Sequence, residues 1–254
     1  MNNSSIYSTA MILKLPYLKT HHRDLLEEAK HTNMSHEELL ETFLQREHEQ
    51  RKNNGIHNRM RQAKFPVKKY LEDFDRSKYP KEFGSQFDEL ETLDFIAKKE
   101  NVILIGSPGS GKSHYMIGLA TKAILEGKSV LFVSVPNLII ELKEALNQRQ
   151  LTWYKKKFEK YDIVAMDELG YISFDKAGAE MLFNLISNRN DKGTIMVTSN
   201  LTFDRWGEVF QDTVLTGALV DRIAHKAHIL DLSRETSFRY EETVTWRKKK
   251  VAHV

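Results

Sequence analysis

The chain has 254 residues, of which 41% are hydrophobic and 10% aromatic, a composition typical of a globular protein with a sizeable core. It contains no cysteine, which excludes disulfide bridges and thiolate metal sites and fits a reducing cytoplasm. No apolar run approaches the roughly 20 residues that cross a bilayer, and the first residues lack the pattern of a signal peptide. We therefore expect a cytoplasmic protein with no membrane partner.

The net charge is only +3, but it is unevenly distributed along the chain. Eight basic and two acidic residues lie between Arg46 and Lys69, so this segment carries +6 and the remainder of the chain −3. Such a block is either a solvated helix face or a surface that binds the phosphates of a nucleic acid. Charge alone leaves both interpretations open.

The N-terminal part of the sequence predicts helices. A short one is expected over Asp24–Lys30. A longer one begins at Ser35, because Ser35 and Glu38 form the S-x-x-E pattern of a capping box, and it continues to about Gln62. Four apolar residues recur at helical spacing and predict a buried stripe on this helix: Leu39, Leu40, Phe43 and Leu44.

After a linker around residues 74–84, buried strands alternate with amphipathic helices. The strands are expected at Val102–Ile105, Val130–Val135, Ile163–Met166 and Thr194–Thr198. The helices between and after them are expected at about Lys112–Glu126, Asn137–Gln148 and Lys176–Arg189, with another from about Leu215. This alternation predicts an α/β fold, a parallel sheet with helices on both faces, preceded by a small helical domain.

The clearest motif follows the first strand and opens the next helix. It matches G-x-x-x-x-G-K-[ST] throughout, in the order Gly106, Ser107, Pro108, Gly109, Ser110, Gly111, Lys112, Ser113. The glycines let successive backbone N–H groups point at phosphate oxygens, at the positive end of a helix. We expect Lys112 to reach the β- and γ-phosphates of ATP, Ser113 to ligate Mg²⁺, and His114 to pack at the edge of the nucleotide.

The third predicted strand ends in two carboxylates. Asp167 and Glu168 follow the apolar run Ile163–Met166, which is the pattern of a Walker B motif. Asp167 is expected to hold the metal ion, and Glu168 to orient and polarise the attacking water. This pair predicts hydrolysis of ATP rather than phosphoryl transfer to a small molecule.

Polar residues also end the fourth strand, in the run Thr198-Ser199-Asn200. Asn200 is expected to lie beside the γ-phosphate and to position water, the role called sensor 1. A simple strand-ending turn is the alternative, because Ser and Asn favour turns.

With these elements in order, the chain resembles the IstB/DnaC-like branch of the AAA+ ATPases, and within it the IstB-like helper ATPases of DNA transposition. The stretches that carry the resemblance are YLKTHHRDLLEEA, RMRQAKFPVKKYLEDFD, GSPGSGKSH, YDIVAMDELGY, MLFNLISNR, VTSNLTFDRWGEVFQD and LTGALVDRIAHKAHIL followed by RETSFRY. The family's usual Arg-Tyr after a helix is Arg189-Asn190 here, and its Ser-Tyr-Arg ending is Ser237-Phe238-Arg239.

The resemblance implies roles for two arginines. Arg222, in Asp221-Arg222-Ile223, would act as an arginine finger on the γ-phosphate of a neighbouring subunit. Arg239 would contact nucleotide as sensor 2. An ordinary surface ion pair for Arg222 and a structural role for Arg239 are the alternatives.

The resemblance also implies partners and domain limits. A homo-oligomer with nucleotide at its interfaces would assemble on duplex DNA with little sequence preference, then recruit and activate a transposase. Candidates for phosphate contact are Arg59, Arg61, Lys64, Lys155, Lys156 and Lys157. The expected domains are 1–66 (helical), 67–246 (AAA+ ATPase) and 247–254 (basic tail). A replicative helicase loader is the main alternative, and a DNA-binding adaptor with structural nucleotide and a metabolite kinase are further ones.

Overall fold

The computed structural model describes residues 5–233. The chain divides between Asn58 and Arg59 into two compact units. Arg239 and the basic tail fall outside the described residues, and the domain limits expected at residues 66 and 246 remain predictions. None of the helices in the described range is long and apolar enough to cross a membrane.

The first unit contains three helices, the last of which ends beyond its boundary: α1 (Ser5–Ile12), α2 (Pro16–His31) and α3 (His36–Ala63). The capping box at the start of α3 is confirmed, because the Ser35 N–H donates to Glu38 Oε2 (2.7 Å) and the Glu38 N–H donates to Ser35 Oγ (3.2 Å). The buried carboxylate of Glu47 accepts the backbone N–H groups of Tyr17 and Leu18 at the start of α2. It satisfies donors that no helical carbonyl can reach.

The prediction of a buried apolar stripe on α3 is wrong. Leu40 and Leu44 are each 62% exposed, and Leu39 and Phe43 are only half-buried. Polar side chains join α3 to α2 instead: Glu47 as described, and Arg46, whose guanidinium donates two hydrogen bonds of 2.6 and 2.7 Å to the Glu28 carboxylate. Helical spacing locates an apolar stripe, but it does not determine whether another element covers it.

The second unit alternates strands and helices. Its strands are β1 (Asn101–Ile105), β2 (Val130–Ser134), β3 (Ile163–Leu169), β4 (Thr194–Ser199) and β5 (Ala227–Asp231). Its helices are α4 (Phe83–Glu91), α5 (Asp94–Lys98), α6 (Lys112–Leu125), α7 (Val135–Asn147), α8 (Leu151–Glu159), α9 (Lys176–Arg189), α10 (Gly207–Phe210) and α11 (Thr213–Ala224). Short 3₁₀ turns lie at Leu71–Asp73, Arg76–Lys78 and Phe203–Arg205. The sequence predicted four of these strands and the helices α6, α7, α9 and α11, and it missed β5 and the helices α4, α5, α8 and α10.

The five strands form one parallel sheet in the order β2-β3-β4-β1-β5. Ile103 and Ile105 of β1 belong to a buried cluster with residues of α7, α9 and α11. Helix α6 contacts β1 to β4, and none of its described residues belongs to that cluster, so helices cover both faces of the sheet. The expected α/β architecture is confirmed, and its parallel strands place the carboxyl ends of β1, β3 and β4 side by side.

One arginine binds backbone carbonyls at the amino-terminal ends of β3 and β4, opposite the carboxyl ends described above. Arg189, at the end of α9, is fully buried and donates hydrogen bonds to the carbonyls of Phe158 (2.8 Å), Asp162 (3.0 Å) and Thr194 (3.2 Å). Burial lowers the pKa of its guanidinium to about 10, because the charged form is poorly solvated there. These bonds fasten the end of α9 to the segments that lead into β3 and β4.

Candidate nucleotide-binding site

The phosphate-binding loop connects β1 to α6 over residues 106–111, as the sequence predicted. Gly111 precedes the first turn of α6 with φ = +93°, a left-handed conformation that favours glycine. A Cβ on Gly106 would lie 2.8 Å from Ser110 Oγ and 2.9 Å from the carbonyl carbon of Leu232. Only glycine therefore lets the loop run this close to the chain after β5.

Lys112 is held inside this loop. Its Nζ donates to the carbonyl of Gly106 (2.7 Å) and to that of Ser107 (2.9 Å), and the residue is 6% exposed. The loop carbonyls therefore keep an ammonium group within the turn where backbone N–H groups and the start of α6 also favour anions.

Three side-chain oxygens meet at the ends of β3, β4 and the start of α6. The Ser113 hydroxyl donates to Asp167 Oδ1 at 2.8 Å, and the Thr198 hydroxyl donates to the same carboxylate oxygen. Thr198 Oγ1 also accepts the backbone N–H of Glu168 at 3.0 Å. A serine hydroxyl beside a carboxylate is the oxygen donor set that Mg²⁺ prefers, so these residues fit the predicted metal.

Glu168 occupies a bulge in β3. The regular pairing of β3 with β4 breaks between Met166 and Leu169, and Glu168 has φ = +67°. A bulge redirects a side chain out of the regular alternation. Asp167 is consequently buried at 8% exposure while the adjacent Glu168 is exposed to the cavity.

A cavity of about 580 Å³ lies over these groups, large enough for a nucleotide. Predicted site residues that line it are Gly109, Ser110, Gly111, Lys112, Ser113, His114, Asp167 and Glu168. Gly106, Ser107 and Pro108 form the loop without lining the cavity. The structure therefore brings the predicted phosphate, metal and water-polarising groups to one place.

Two predicted catalytic residues, Asn200 and Arg222, are not among the residues that line the cavity. A Cβ on Gly170 would lie 2.8 Å from Asn200 Oδ1, an atom that is buried and has no hydrogen-bond partner among the described residues. Arg222, on α11, has its guanidinium carbon 4.8 Å from the ring centroid of Phe183 on α9. In the polar run that ends β4, Thr198 is the residue that contacts Asp167.

Sequence reasoning assigned no nucleotide-site role to the segment before α4, and it expected a linker around residues 74–84. This segment lines the cavity with Val67, Lys68, Lys69, Asp73, Phe74, Asp75 and Lys78. Ile117, Tyr171 and Thr198 are further lining residues that were not predicted. Two signals in the sequence included this segment without giving a residue role at the nucleotide site. One was the stretch RMRQAKFPVKKYLEDFD, which carried the family resemblance, and the other was the basic block from Arg46 to Lys69, which contains Lys68 and Lys69.

Contacts with the loop and α6 hold this segment in place. The Tyr79 hydroxyl donates to the carbonyl of Ser110, and Nε2 of His114 lies 3.1 Å from the carbonyl oxygen of Tyr70. The Phe74 ring stacks on Tyr79 with centroids 5.2 Å apart and meets His114 edge-on at 5.7 Å. The predicted packing role of His114 therefore has a defined partner in Phe74.

The candidate DNA-contacting residues lie in two groups. Arg61 and Lys64 are exposed and Arg59 is half-buried, near the end of α3, whereas Lys155, Lys156 and Lys157 lie on α8. Lys64 and Lys157 line the same small depression, together with Tyr154 and Phe158. The fold thus brings together members of two groups that are far apart in the sequence.

Comparison with known proteins agrees with this geometry. The family model described as IstB-like ATP binding protein matches residues 8–245. An insertion sequence IS21 putative ATP-binding protein of Pseudomonas aeruginosa is 36% identical over 230 residues, which cover 91% of this chain and 86% of that protein. The insertion sequence IS5376 putative ATP-binding protein of Geobacillus stearothermophilus is 33% identical and covers 91% of each.

Among solved structures, the crystal structure of DnaI superimposes with a TM-score of 0.53. The match is 20% identical in sequence and covers 65% of this chain and 88% of that chain. At this identity the likeness concerns the fold alone. It confirms the expected P-loop fold of the AAA+ kind, which here follows an N-terminal helical region.

Proposed function

Since this chain belongs to the family of IstB-like ATP-binding proteins, we propose that it is an ATP-hydrolysing helper of DNA transposition that acts in the cytoplasm. In this proposal it oligomerises on duplex target DNA with ATP, recruits and activates the partner transposase, and hydrolyses ATP to reset. The observation that carries the hydrolytic part is the joint placement of Ser113, Asp167 and Thr198, with Glu168 exposed to the same cavity.

The phosphate chain binds along the start of α6. Backbone N–H groups of the loop donate to phosphate oxygens, and Lys112 exchanges its bonds to the Gly106 and Ser107 carbonyls for the β- and γ-phosphates. Ser113 and Asp167 hold Mg²⁺, which supplies charge neutralisation of the phosphates when bound. Thr198 keeps the Asp167 carboxylate turned toward Ser113.

Hydrolysis requires a water in line with the γ-phosphate. Glu168 accepts a hydrogen bond from that water and increases its nucleophilicity, for which its exposed position at the bulge is suitable. Asn200 assists in positioning the water, and this role requires its amide to turn from Gly170 toward the cavity. Arg222 acts on the γ-phosphate bound by a neighbouring subunit, which is compatible with its absence from the residues that line this subunit's own cavity.

The transposition part of the proposal is supported by the relatives. Both curated relatives described above are named as ATP-binding proteins of insertion sequences, and each matches 91% of this chain. A transposase encoded by the same mobile element is therefore the expected protein partner. The loading of a replicative helicase is the competing function. The fold likeness to DnaI does not favour it, because the two chains are only 20% identical in sequence.

The first experiment measures ATP hydrolysis with and without duplex DNA, beside the size of the protein–DNA mixture with ATP. We expect DNA to stimulate hydrolysis and large complexes to form with ATP, and we expect these complexes to persist in Glu168→Gln. Equal rates of ATP hydrolysis with and without DNA, in a protein that stays monomeric under all conditions, would contradict the proposal. Binding assays with the transposase and with a hexameric helicase then separate the two partner hypotheses.

A further inference from the structure

One tyrosine reaches the phosphate-binding loop from outside the nucleotide cavity. The Tyr79 hydroxyl donates to the backbone carbonyl of Ser110, a fully buried residue. Ser110 and Gly111 line the cavity, whereas Tyr79 is not among its lining residues. The hydrogen bond therefore attaches the loop to a group that lies outside the lining of the cavity.

This hydrogen bond also sets the direction of a backbone donor. The Ser110 carbonyl and the Gly111 N–H belong to one planar trans peptide unit, so they point in opposite directions. With the carbonyl directed at Tyr79, the N–H is directed away from it, on the side where Gly111 lines the cavity. The Gly111 N–H makes no hydrogen bond within residues 5–233, so it is available to an anion.

The peptide unit between Ser110 and Gly111 needs such an anchor because glycine restrains it poorly. Gly111 has φ = +93°, and without a Cβ a glycine adopts positive and negative φ with similar ease. Rotation of the peptide unit changes φ of Gly111 and therefore meets little steric resistance. A rotated unit would present its carbonyl oxygen to the phosphates instead of its N–H.

Tyr79 is itself held by packing and by the turn that precedes it. Its ring stacks on Phe74 with centroids 5.2 Å apart and meets Phe87 of α4 edge-on at 5.8 Å, and the residue is 6% exposed. The preceding turn is joined to α4, because Arg76 donates to Asp88 Oδ1 at 2.8 Å. The hydroxyl is therefore held in place beside the loop by contacts that do not involve the nucleotide.

We propose that Tyr79 is a positioning residue for the phosphates of ATP, a proposal that rests on the nucleotide binding proposed above and on neither hydrolysis nor DNA. Its hydroxyl holds the Ser110–Gly111 peptide unit in the orientation that presents the Gly111 N–H to the phosphate chain. Because this donor is oriented in advance, ATP binding does not bear the cost of ordering it. Loss of the hydroxyl leaves the ring and its packing in place and frees the peptide unit.

The alternative is a purely structural bond, in which Tyr79 only attaches its own segment to the domain. The chain offers a matched control for that role. The Tyr115 hydroxyl donates to the carbonyl of Phe87 at 3.4 Å, so it joins α6 to α4 within the same group of aromatic rings. Tyr79→Phe and Tyr115→Phe each remove one hydroxyl from a buried ring, but only the first releases a carbonyl of the phosphate-binding loop.

The test measures the affinities of ATP and of inorganic tripolyphosphate by competition with a fluorescent ATP analogue. In Tyr79→Phe the dissociation constants of both ligands should rise by about fivefold to tenfold, the effect of one hydrogen bond. Tripolyphosphate carries no base or sugar, so an equal loss for both ligands locates the defect in phosphate binding. Tyr115→Phe should leave both dissociation constants unchanged.

Hydrolysis supplies a second readout that a purely structural role would not reproduce. The loop holds the phosphates in the ground state and in the transition state alike. In Tyr79→Phe we therefore expect KM for ATP to rise while kcat stays close to that of the wild-type chain. A fall in kcat with an unchanged KM would contradict the proposed role.

The outcomes separate the proposal from its premise. If the wild-type chain binds no ATP, nucleotide binding itself is wrong, and the positioning role with it. If the wild-type chain binds ATP and Tyr79→Phe binds both ligands with wild-type affinity, the site stands and the role of Tyr79 is wrong. A loss of ATP affinity with unchanged tripolyphosphate affinity would place the effect at the base or sugar and overturn the proposal. Equal losses in Tyr79→Phe and Tyr115→Phe would assign the effect to general packing of the aromatic rings and overturn it as well.

Discussion

The Thr198 hydroxyl donates to Oδ1 of Asp167, and the same hydroxyl oxygen accepts the backbone N–H of Glu168, the residue after Asp167. One threonine on β4 therefore orients the carboxylate of Asp167, proposed to bind the metal, and stabilises the left-handed backbone of Glu168, proposed to be catalytic, at the β3 bulge. A left-handed non-glycine residue is unfavourable by about 1 kcal/mol or more and persists where neighbouring groups hold it. Thr198 is thus a positioning residue for both carboxylates.

Replacing Thr198 with valine keeps the shape of the side chain and removes both hydrogen bonds. We expect kcat for ATP hydrolysis to fall by about tenfold to a hundredfold, because small displacements of catalytic groups have effects of this size. Nucleotide affinity should change little, and the Mg²⁺ concentration for half-maximal activity should rise. Thr198→Ser retains the hydroxyl and should recover most of the activity; equal rates in the valine and wild-type chains would contradict the role.

Glu168→Gln tests the water-polarising carboxylate. The amide has nearly the same size but is a poor proton acceptor, so hydrolysis should fall by about a hundredfold to ten-thousandfold while ATP still binds. The measurement pairs steady-state phosphate release with equilibrium binding of a fluorescent ATP analogue. Asp167→Asn is the matched variant, and it should instead weaken the Mg²⁺ dependence of binding. A Glu168→Gln chain that hydrolyses normally would remove Glu168 from the mechanism.

The arginine finger can be tested by mixing two inactive chains. Arg222→Ala has an intact cavity but lacks the finger, whereas Glu168→Gln has the finger but lacks the catalytic carboxylate. Each alone should be slower by about a hundredfold or more, and an equimolar mixture should recover up to about a quarter of wild-type activity at correctly ordered interfaces. No recovery in mixed oligomers would place Arg222 in a structural role, for which its packing on Phe183 is the obvious candidate.

We expect Arg189 to contribute strongly to the stability of the protein, because it holds the segments that lead into β3 and β4. Arg189→Met leaves the carbonyls of Phe158, Asp162 and Thr194 buried without their donor, at about 1–3 kcal/mol for each unsatisfied group. We expect the melting temperature to fall by about 6 °C or more, measured by calorimetry. Arg205→Ala is the control, because this arginine pairs with Glu208 on the surface and its loss should change the melting temperature far less.

The nucleotide site could be predicted in outline because its residues are close in sequence or follow recognisable strands. The run from Gly106 to Ser113 dictates a phosphate-binding turn by its own backbone requirements. Asp167 follows an apolar strand, and parallel strands bring their carboxyl ends to one edge. The segment from Val67 to Lys78 could not be found in this way, since its place over the cavity depends on contacts such as that of Tyr79 with Ser110.

Elsewhere local pattern and tertiary structure disagreed. The apolar residues of α3 recur at helical spacing, yet Leu40 and Leu44 remain exposed because the links to α2 are made through Arg46 and Glu47. Strand β5 was missed although it completes the sheet beside β1, because its residues are only partly buried and lack a continuous apolar run. Periodicity in the sequence identifies the apolar positions of a segment, whereas tertiary packing determines which of those positions are buried.

By itself, the sequence determined the kind of fold, the phosphate-binding loop and the family, and it identified the two carboxylates proposed to bind metal and to act in catalysis, because each depends on backbone conformation or on side chains at short spacing. Only the tertiary structure decided which hydroxyl on β4 orients Asp167, which segment closes the cavity, and that the Tyr79 hydroxyl contacts the phosphate-binding loop. Those features depend on distances between residues far apart in the chain, and such distances are fixed only when the sheet and its helices pack together.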